Sequence, residues 1–197
     1  MNNSLLENFP NGIKFLQTPS YRFTKDAIDL AKFCEVKSSD RVLELCAGGG
    51  VISFYLYDLK KFEKLYLNEL QLENCEIINQ NIELNSLNDF ARCLSGDLKK
   101  LSLEDFDKKL DVIICNPPYY KHNNIKNVNT DYSKAVSKHE VCITLAEIIK
   151  KASELIKDKG KFFVVMTAER SAELLGLLYQ NRFFVKRMKY LQNTKVK

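Results

Sequence analysis

The sequence predicts an α/β protein with a doubly wound, mostly parallel twisted sheet and helices on both of its faces. Short apolar runs of strand length alternate with stretches of helical period at regular spacing. A glycine-rich loop joins the first of these strands to a helix, and a proline pair ends the fourth. With 197 residues and 45% hydrophobic content, the chain is predicted to form one domain, residues 1–197.

The N-terminal segment, residues 1–40, is expected to end in a helix that covers the ligand site. Residues 1–25 are predicted to be irregular because two prolines and a glycine interrupt them. Thr24 is a plausible N-cap, which places Asp26 in the first helical turn, where capping alone could explain it. One apolar stripe follows at helical spacing: Ala27, Leu30, Ala31 and Cys34.

Six strands are predicted after this helix, each an apolar run bounded by polar or breaker residues. They are Arg41–Leu45, Lys64–Asn68, Ala91–Leu94, Val112–Cys115, Lys161–Thr167 and Phe183–Leu191. The intervening helices are Val51–Tyr57, one with Leu72, Cys75, Ile78 and Ile82 inward, one with an apolar stripe from Leu145 to Ile156, and Glu169–Tyr179. Gly160 is expected to end the third of these helices.

A polar segment, Lys121–His139, follows the fourth strand and is predicted to be a long surface loop. It contains four Asn, four Lys and both histidines of the chain. Loops of that length are usually functional or disordered. His139 and Glu140, at the start of the next helix, are assigned a structural or substrate-positioning role rather than a catalytic one.

Charge is distributed unevenly along the chain. The net charge is 0 over residues 1–40, −4 over 41–120 and +9 over 121–197, and no acid follows Glu173. A solvated surface with a frayed tail would explain this, and so would a face that meets a polyanion.

The six cysteines include no CxxC pair, which favours free thiols in a reducing cytosol over disulfides or zinc. Neither a membrane-spanning run nor a signal peptide is predicted, and a cytoplasmic protein is expected.

The loop that follows the first strand is neither G-x-G-x-x-G nor a Walker motif, so phosphate binding is disfavoured. Glu44 precedes Gly48 and Gly50, and an acid there would attract a cation such as the amine or sulfonium of S-adenosylmethionine. Glu69 ends the second strand, where a carboxylate takes ribose hydroxyls. Asp97 follows the third strand and would accept a hydrogen bond from the adenine amino group. Each acid alone is more often a cap or a solvated residue, but three at successive strand ends favour the cofactor site.

Asn116-Pro117-Pro118-Tyr119 is predicted to receive a planar amino group that is to be methylated. The prolines supply no N–H donors, so the chain must leave the sheet at its C-terminal edge. The Asn116 side-chain oxygen and the Pro117 carbonyl would accept the two amino hydrogens and aim the nitrogen lone pair at the methyl group. Tyr119 would stack on the base. A plain Asn-Pro turn is the alternative. The reaction needs neither a strong base nor a metal.

With these motifs the chain resembles Rossmann-like class I S-adenosylmethionine-dependent methyltransferases that carry an NPPY motif. More specifically it resembles the bacterial tRNA1(Val) adenine-N6-methyltransferase family, which modifies the adenosine just 3′ of the anticodon. The resemblance is carried by FTKDAIDLAKF, VLELCAGGGVISF, LNELQLENCEIINQNIELN, DVIICNPPYY and SKHEVCITLAEIIKKASELIKDKGK.

The resemblance implies a role for each motif residue. Glu44, Gly48 and Gly50 would hold the methionine part of the cofactor, Glu69 the ribose and Asp97 the adenine. Thr24 and Asp26 would close over it, and Asn116 to Tyr119 would bind the target base. Four further residues beside these positions would complete the cofactor site: Cys46, Leu70, Leu98 and Asn116.

Two departures from the family pattern stand out. Cys46-Ala47 occupies the place of the usual Gly-Cys, and the chain ends after its sixth predicted strand, so the seventh strand of this fold is expected to be missing.

The leading hypothesis is N6-methylation of an adenosine in tRNA, at position 37 of tRNA1(Val) as the resemblance implies, with S-adenosylmethionine as donor, S-adenosylhomocysteine as product and no metal. The 121–139 loop and the basic C-terminal segment would bind tRNA, and a monomer or weak dimer is expected. Two alternatives stay open: methylation of another planar amine, in DNA, ribosomal RNA or a protein glutamine, and an inactive RNA-binding paralogue.

Overall fold

The computed structural model describes residues 5–17, 23–118 and 143–191. Its strands, in chain order, are β1 (Leu5–Asn8), β2 (Lys14–Gln17), β3 (Arg41–Leu45), β4 (Lys64–Glu69), β5 (Ala91–Ser95), β6 (Leu110–Cys115) and β7 (Ile156–Val164). The helices are α1 (Lys25–Phe33), α2 (Val51–Leu59), α3 (Leu72–Leu84), α4 (Leu145–Leu155) and α5 (Ser171–Gln180). Three single 3-10 turns are added, at Leu98–Lys100, Leu103–Asp105 and Ala168–Arg170.

The main sheet has five parallel strands in the order β5-β4-β3-β6-β7. The chain runs outward from β3 through β4 to β5 and then returns to the other side of β3 as β6. Strand order therefore reverses between β3 and β6, and in open α/β sheets ligands bind at this switch point, outside the carboxyl ends of the strands. The predicted α/β fold class and the first four strands are confirmed.

Both faces of the sheet are buried, which explains the nearly continuous apolar runs of its central strands. Alternate residues of β3 and β6 point to opposite faces. Val42 and Ile114 belong to a core that includes residues of α1, α2 and α3. Leu43 and Ile113 belong to a second core that includes Ile148 and other residues of α4. The predicted stripe on α1 is confirmed, since all four of its residues are buried.

The N-terminal segment is more ordered than its breaker residues predicted. β1 and β2 form an antiparallel hairpin where an irregular segment was expected, with Gly12 in the turn at φ +108°. The side chains of Asn81, in α3, and of Asn85, the C-cap of that helix, hydrogen-bond the backbone of β2. The Asn81 amide bonds both the N–H and the carbonyl of Leu16, at 2.6 and 3.0 Å, and the Asn85 amide does the same for Lys14, at 2.8 and 2.7 Å.

Three other predictions are wrong in detail. Leu72 was expected to face inward but is 71% exposed, because it lies in the first turn of α3 on its solvent side. The long helix ends at Leu155 rather than near Gly160. Ile156 adopts extended geometry and pairs with Leu110 of β6, so strand pairing overrides the helical pattern. β7 consequently begins five residues earlier than predicted and ends at Val164.

Residues 183–191 were predicted as a sixth strand of the sheet, and among the described residues no strand is assigned to them. Side-chain contacts hold this segment instead. Phe183 packs against Phe162 of β7. The Arg187 guanidinium lies 3.9 Å from the ring centre of Phe33, bonds the Phe33 carbonyl and reaches the carboxylate of Glu35 at 2.7 Å. The segment thus contacts both β7 and the end of α1.

The predicted loop Lys121–His139, the His139-Glu140 pair and Tyr119 lie outside the described residues. Within the described ranges, every helix is too short or too polar to span a lipid bilayer.

Candidate active site

Pairing of β3 with β6 brings the glycine loop and the Asn-Pro-Pro segment side by side. Leu45, the last residue of β3, is paired with Cys115, the last residue of β6. Cys46 and Asn116 are therefore the next residues on two adjacent parallel strands, at the same edge of the sheet. Asn116 is half-buried, and the two prolines after it are buried. Tyr119, the fourth residue of the motif, lies outside the described residues.

The glycine loop turns sharply, with positive φ at Cys46 (+54°), Gly48 (+56°) and Gly50 (+84°). At Gly50 an added Cβ would lie 2.6 Å from Leu67 Cδ2 and 3.0 Å from Phe54. Glycine is thus required at residue 50 by core packing as well as by backbone conformation. Cys46 is the unusual member, because L-residues rarely adopt this conformation.

The Cys46 and Cys115 side chains belong to the same hydrophobic core. Burial raises the pKa of the Cys115 thiol well above its usual value, and the neighbouring Cys46 thiol adds to the increase. The two strands that carry the predicted motifs are thus in side-chain contact as well as hydrogen-bonded.

Glu69 braces the glycine loop from the end of β4. Its Oε2 accepts a hydrogen bond from the Gly48 N–H at 2.8 Å, and its Oε1 accepts one from the Gln71 N–H at 2.8 Å. The side chain is only 6% exposed. Burial raises the pKa of its carboxyl group, and the hydrogen bonds from Gln71, Gly48 and Asn74 oppose that increase. The Gly48 and Gln71 N–H groups thus orient both oxygens of the carboxylate at the end of β4.

Glu44 is buried inside the sheet, with 1% of its surface exposed. Its Oε2 accepts the Ser53 N–H at 3.0 Å, which satisfies one of the otherwise unpaired donors in the first turn of α2. Burial raises the pKa of this carboxyl group to about 8, Glu69 adds to the increase, and hydrogen bonding from Ser53 opposes it. Glu44 therefore caps a helix, and its predicted contact with the methionine part of a cofactor stays a prediction.

Asp97 begins the 3-10 turn after β5 and acts as its N-cap. Its Oδ1 accepts the Lys99 N–H at 2.9 Å, and its Oδ2 lies 3.5 Å from the Lys99 ammonium group. Leu98 beside it is 5% exposed, whereas Leu70, after Glu69, is 42% exposed. These residues follow the ends of β5 and β4, which are adjacent in the sheet.

Thr24 and Asp26 lie at the N-terminal end of α1, which packs against α2. The Thr24 hydroxyl donates to the Asp26 carboxylate, and no side-chain cap bonds the helix itself. Closure of the two residues over a cofactor stays a prediction.

A cavity lies between the hairpin and the glycine loop. Phe15, Gln17, Phe23 and Gly49 line it, and its open volume, including the part connected to solvent, is about 270 Å³. Phe23 directly precedes Thr24, so the start of α1 is next to the glycine loop. The buried Oε1 of Gln17 has no hydrogen-bond partner in the described part of the chain.

Two asparagines belong to the site that the sequence reasoning did not single out. Asn68, inside β4, bonds the carbonyls of Leu94 and Gly96 through its side chain, and Asn74 of α3 bonds Glu69. The signal for Asn68 was an amide at the end of an otherwise apolar strand, where asparagine is disfavoured. Asn74 gave no such signal, because polar and apolar residues are mixed on the buried face of α3.

A metal site is not evident in the described ranges, which contain no group of three or more His, Cys, Asp and Glu side chains that could hold an ion. The five cysteines within these ranges are free thiols.

Known proteins resemble this chain in both sequence and fold. The model of the methyltransferase small domain family matches residues 23–192. A tRNA1(Val) (adenine(37)-N6)-methyltransferase of Trichodesmium erythraeum is 25% identical over 83% of this chain and 70% of its own length. A release factor glutamine methyltransferase of Mycoplasma mycoides is 28% identical over 70% of this chain and 49% of its own length. Three further relatives named as tRNA1(Val) enzymes are matched over 51% to 66% of their length.

The fold is shared with a ribosomal protein L11 methylase of Lactobacillus delbrueckii, at a TM-score of 0.62 and 16% identity, over 89% of this chain and 78% of that one. The family match spans the hydrogen-bonded loops at the ends of β3, β4 and β5 and the Asn-Pro-Pro segment beside them. The chain therefore belongs to the methyltransferase small domain family.

Proposed function

We propose that this chain is an S-adenosylmethionine-dependent methyltransferase that methylates N6 of an adenosine in tRNA. The observation that carries the proposal is the pairing of Leu45 with Cys115, which puts the glycine loop and Asn116 on adjacent strand ends. A methyl donor bound at the glycine loop would present its methyl group to an amine bound at Asn116. The named tRNA1(Val) relatives support adenosine 37 as the target.

Residues of this chain are suited to hold the proposed methyl donor. The Glu69 carboxylate is buried and held by the Gly48 and Gln71 N–H groups, so it would meet the ribose hydroxyls with both oxygens already oriented. Asp97 would accept the adenine amino group. Cys46, Gly48 and Gly50 would shape the loop around the amino-acid part, near the Glu44 carboxyl group. When bound, S-adenosylmethionine supplies an electrophilic methyl group on its sulfonium.

At the acceptor site, the chain orients a weak nucleophile. The lone pair of an adenine amino group is delocalised into the ring. Two acceptors on its hydrogens, the Asn116 side-chain oxygen and the Pro117 carbonyl, would direct the lone pair toward the methyl group and stabilise the positive charge that develops on nitrogen. Pro118 would keep the segment rigid, and Tyr119 would stack on the flipped base.

The basic C-terminal third would bind the phosphates of tRNA. Arg182, Lys186 and Lys189 are exposed on a segment that contains no acid, whereas Arg187 is engaged with α1. The 121–139 loop would add four lysines. Because phosphate contacts release counterions, tRNA affinity should fall steeply with salt concentration.

The test is transfer of labelled methyl groups to total tRNA. Asn116→Ala should lower the rate by about 100-fold or more, because one of the two orienting acceptors is lost. The same variant should still bind S-adenosylhomocysteine, and Asn79→Ala, at an exposed asparagine of α3, is the matched control. Unchanged transfer by the Asn116 variant would contradict its role. Mapping the labelled nucleotide identifies the adenosine.

A second candidate is methylation of a protein glutamine, favoured by the relative with that printed name. A glutamine amide presents a similar planar NH2 group to the Asn-Pro-Pro segment. Ribonuclease treatment of the labelled product separates the two, since label that survives the nuclease and is lost with protease supports the glutamine acceptor.

A further inference from the structure

Asn68, the fifth residue of β4, connects two loops at the candidate cofactor edge, the glycine loop after β3 and the turn after β5. Its backbone carbonyl accepts the Ala47 N–H at 2.9 Å, which ties down the glycine loop. Its side-chain Nδ2 donates to the Leu94 carbonyl at 2.9 Å and to the Gly96 carbonyl at 3.0 Å. The residue is 2% exposed, and its bond to the Leu94 carbonyl is buried, whereas the bond to the Gly96 carbonyl is partly buried.

Gly96 is consequently held by β4 through both of its backbone polar groups. Its N–H donates to the Glu69 carbonyl at 2.8 Å, and its carbonyl accepts the Asn68 amide. Its φ of +130° is open to glycine alone, and because glycine is conformationally permissive, these two hydrogen bonds are what hold the turn in this conformation. Asp97 follows directly, and its carboxylate is oriented by the Lys99 N–H. The position of Asp97 relative to Glu69 is therefore set through Gly96.

An asparagine in this position is not needed for the sheet. β4 and β5 pair through their backbones from Leu65 to Glu69, and the neighbours of Asn68 on its face of the sheet, Tyr66 and Leu94, are core residues. A branched apolar residue would suit a buried strand better than an amide, which must find partners to offset its desolvation. Within the described part of the chain, the Asn68 amide donates to the carbonyls of Leu94 and Gly96, which both precede Asp97.

We infer that Asn68 is a positioning residue that fixes the spacing between Glu69 and Asp97 and so makes the cofactor site selective for a purine with a 6-amino group. This rests on the proposed function, in which Glu69 takes the ribose and Asp97 the adenine. An ionised carboxylate only accepts hydrogen bonds. It bonds a 6-amino group and repels a 6-oxo oxygen, provided that it is held at the distance that the ribose contact sets.

Calorimetric binding of S-adenosylhomocysteine and S-inosylhomocysteine tests this. The wild-type chain should prefer the adenosyl ligand by about 10- to 100-fold, the range for a hydrogen bond to a charged group. Asn68→Ala should lower that preference to about threefold or less, the discrimination left to pocket shape. The loss should come from weaker adenosyl binding together with equal or tighter inosyl binding, because the attraction to the 6-amino group and the repulsion of the 6-oxo oxygen both weaken while the ribose and amino-acid contacts stay in place.

A merely structural role would weaken both ligands together. Asn81→Ala is the matched control, because Asn81 is also a fully buried asparagine whose amide bonds backbone groups, but it lies under the hairpin. That variant should keep the adenosyl preference. If Asn68→Ala does not fold, Asn68→Leu keeps the branched shape and the number of side-chain heavy atoms without the donor, and it should show the same loss of preference.

The inference is overturned if the Asn68 variants keep the preference for the adenosyl ligand, or if Asn81→Ala loses that preference to the same extent. Either result leaves the proposed function intact. Failure of the wild-type chain to bind either ligand overturns the proposed function itself.

Discussion

Replacing Glu44 with glutamine should remove a large pH-dependent contribution to this domain's stability between pH 5 and 8. The carboxyl group is 1% exposed and has one backbone donor, from Ser53 at 3.0 Å. Burial raises its pKa from 4.5 to about 8. At 1.36 kcal/mol per unit, that shift corresponds to about 5 kcal/mol of unfolding free energy.

The direction in which stability changes with pH follows from proton binding. Between pH 4.5 and 8 the folded state holds a proton on Glu44 that the unfolded state has released. The contribution is fully present below the unfolded pKa and is lost as pH rises through the folded pKa, so stability falls with pH. Glu44→Gln keeps the size and the acceptor for the Ser53 N–H but does not titrate.

Urea unfolding at pH 5.0 and pH 7.5 measures the effect. The stability of Glu44→Gln relative to wild type should increase by about 3 kcal/mol between these two pH values. Glu76→Gln, an exposed exchange on α3, should show no such change. If the variant and the wild type differ in unfolding free energy by the same amount at both pH values, Glu44 is not buried in its neutral form. A sulfonium donor beside Glu44 favours its ionised form, so donor affinity should also rise with pH in wild type and not in the variant.

Two further stability predictions follow from packing and hydrogen bonding. Gly50→Ala should destabilise the domain by about 2–4 kcal/mol, because the Cβ meets Leu67 at 2.6 Å and the backbone is left-handed. Gly176→Ala, in α5 with open space around it, should instead stabilise it by about 0.5–1 kcal/mol in the same urea titration. Asn81→Ala should cost about 2–3 kcal/mol, since the N–H and carbonyl of Leu16 lose their partners, and hydrogen exchange at Leu16 should accelerate; unchanged exchange would show that α3 does not hold the hairpin.

The first four strands of the main sheet, the helices between them, the two motif positions and the positions of the three acids could be predicted from the sequence, because each depends on local pattern. The run Val112 to Cys115 before two prolines defines a buried strand and its end without knowledge of any partner. The same holds for the glycines after Leu45 and the stripe on α1.

The features that only the tertiary structure could show depend on contacts between residues that are distant in sequence. Residues 5–17 form a hairpin because the Asn81 amide of α3 and the amide of its C-cap, Asn85, supply partners for the hairpin backbone, and no local pattern encodes that pairing. Ile156 continues a helical stripe in sequence but pairs with Leu110 in space.

The candidate site shows the same division. The sequence by itself determined that Glu44, Glu69 and Asp97 stand at strand ends. Only the fold showed that Glu44 is buried as a helix cap, that Glu69 braces Gly48, and that Asn68 holds the turn before Asp97. The physical reason is that a hydrogen bond between strands depends on their order and register in the sheet, which packing of the whole chain sets.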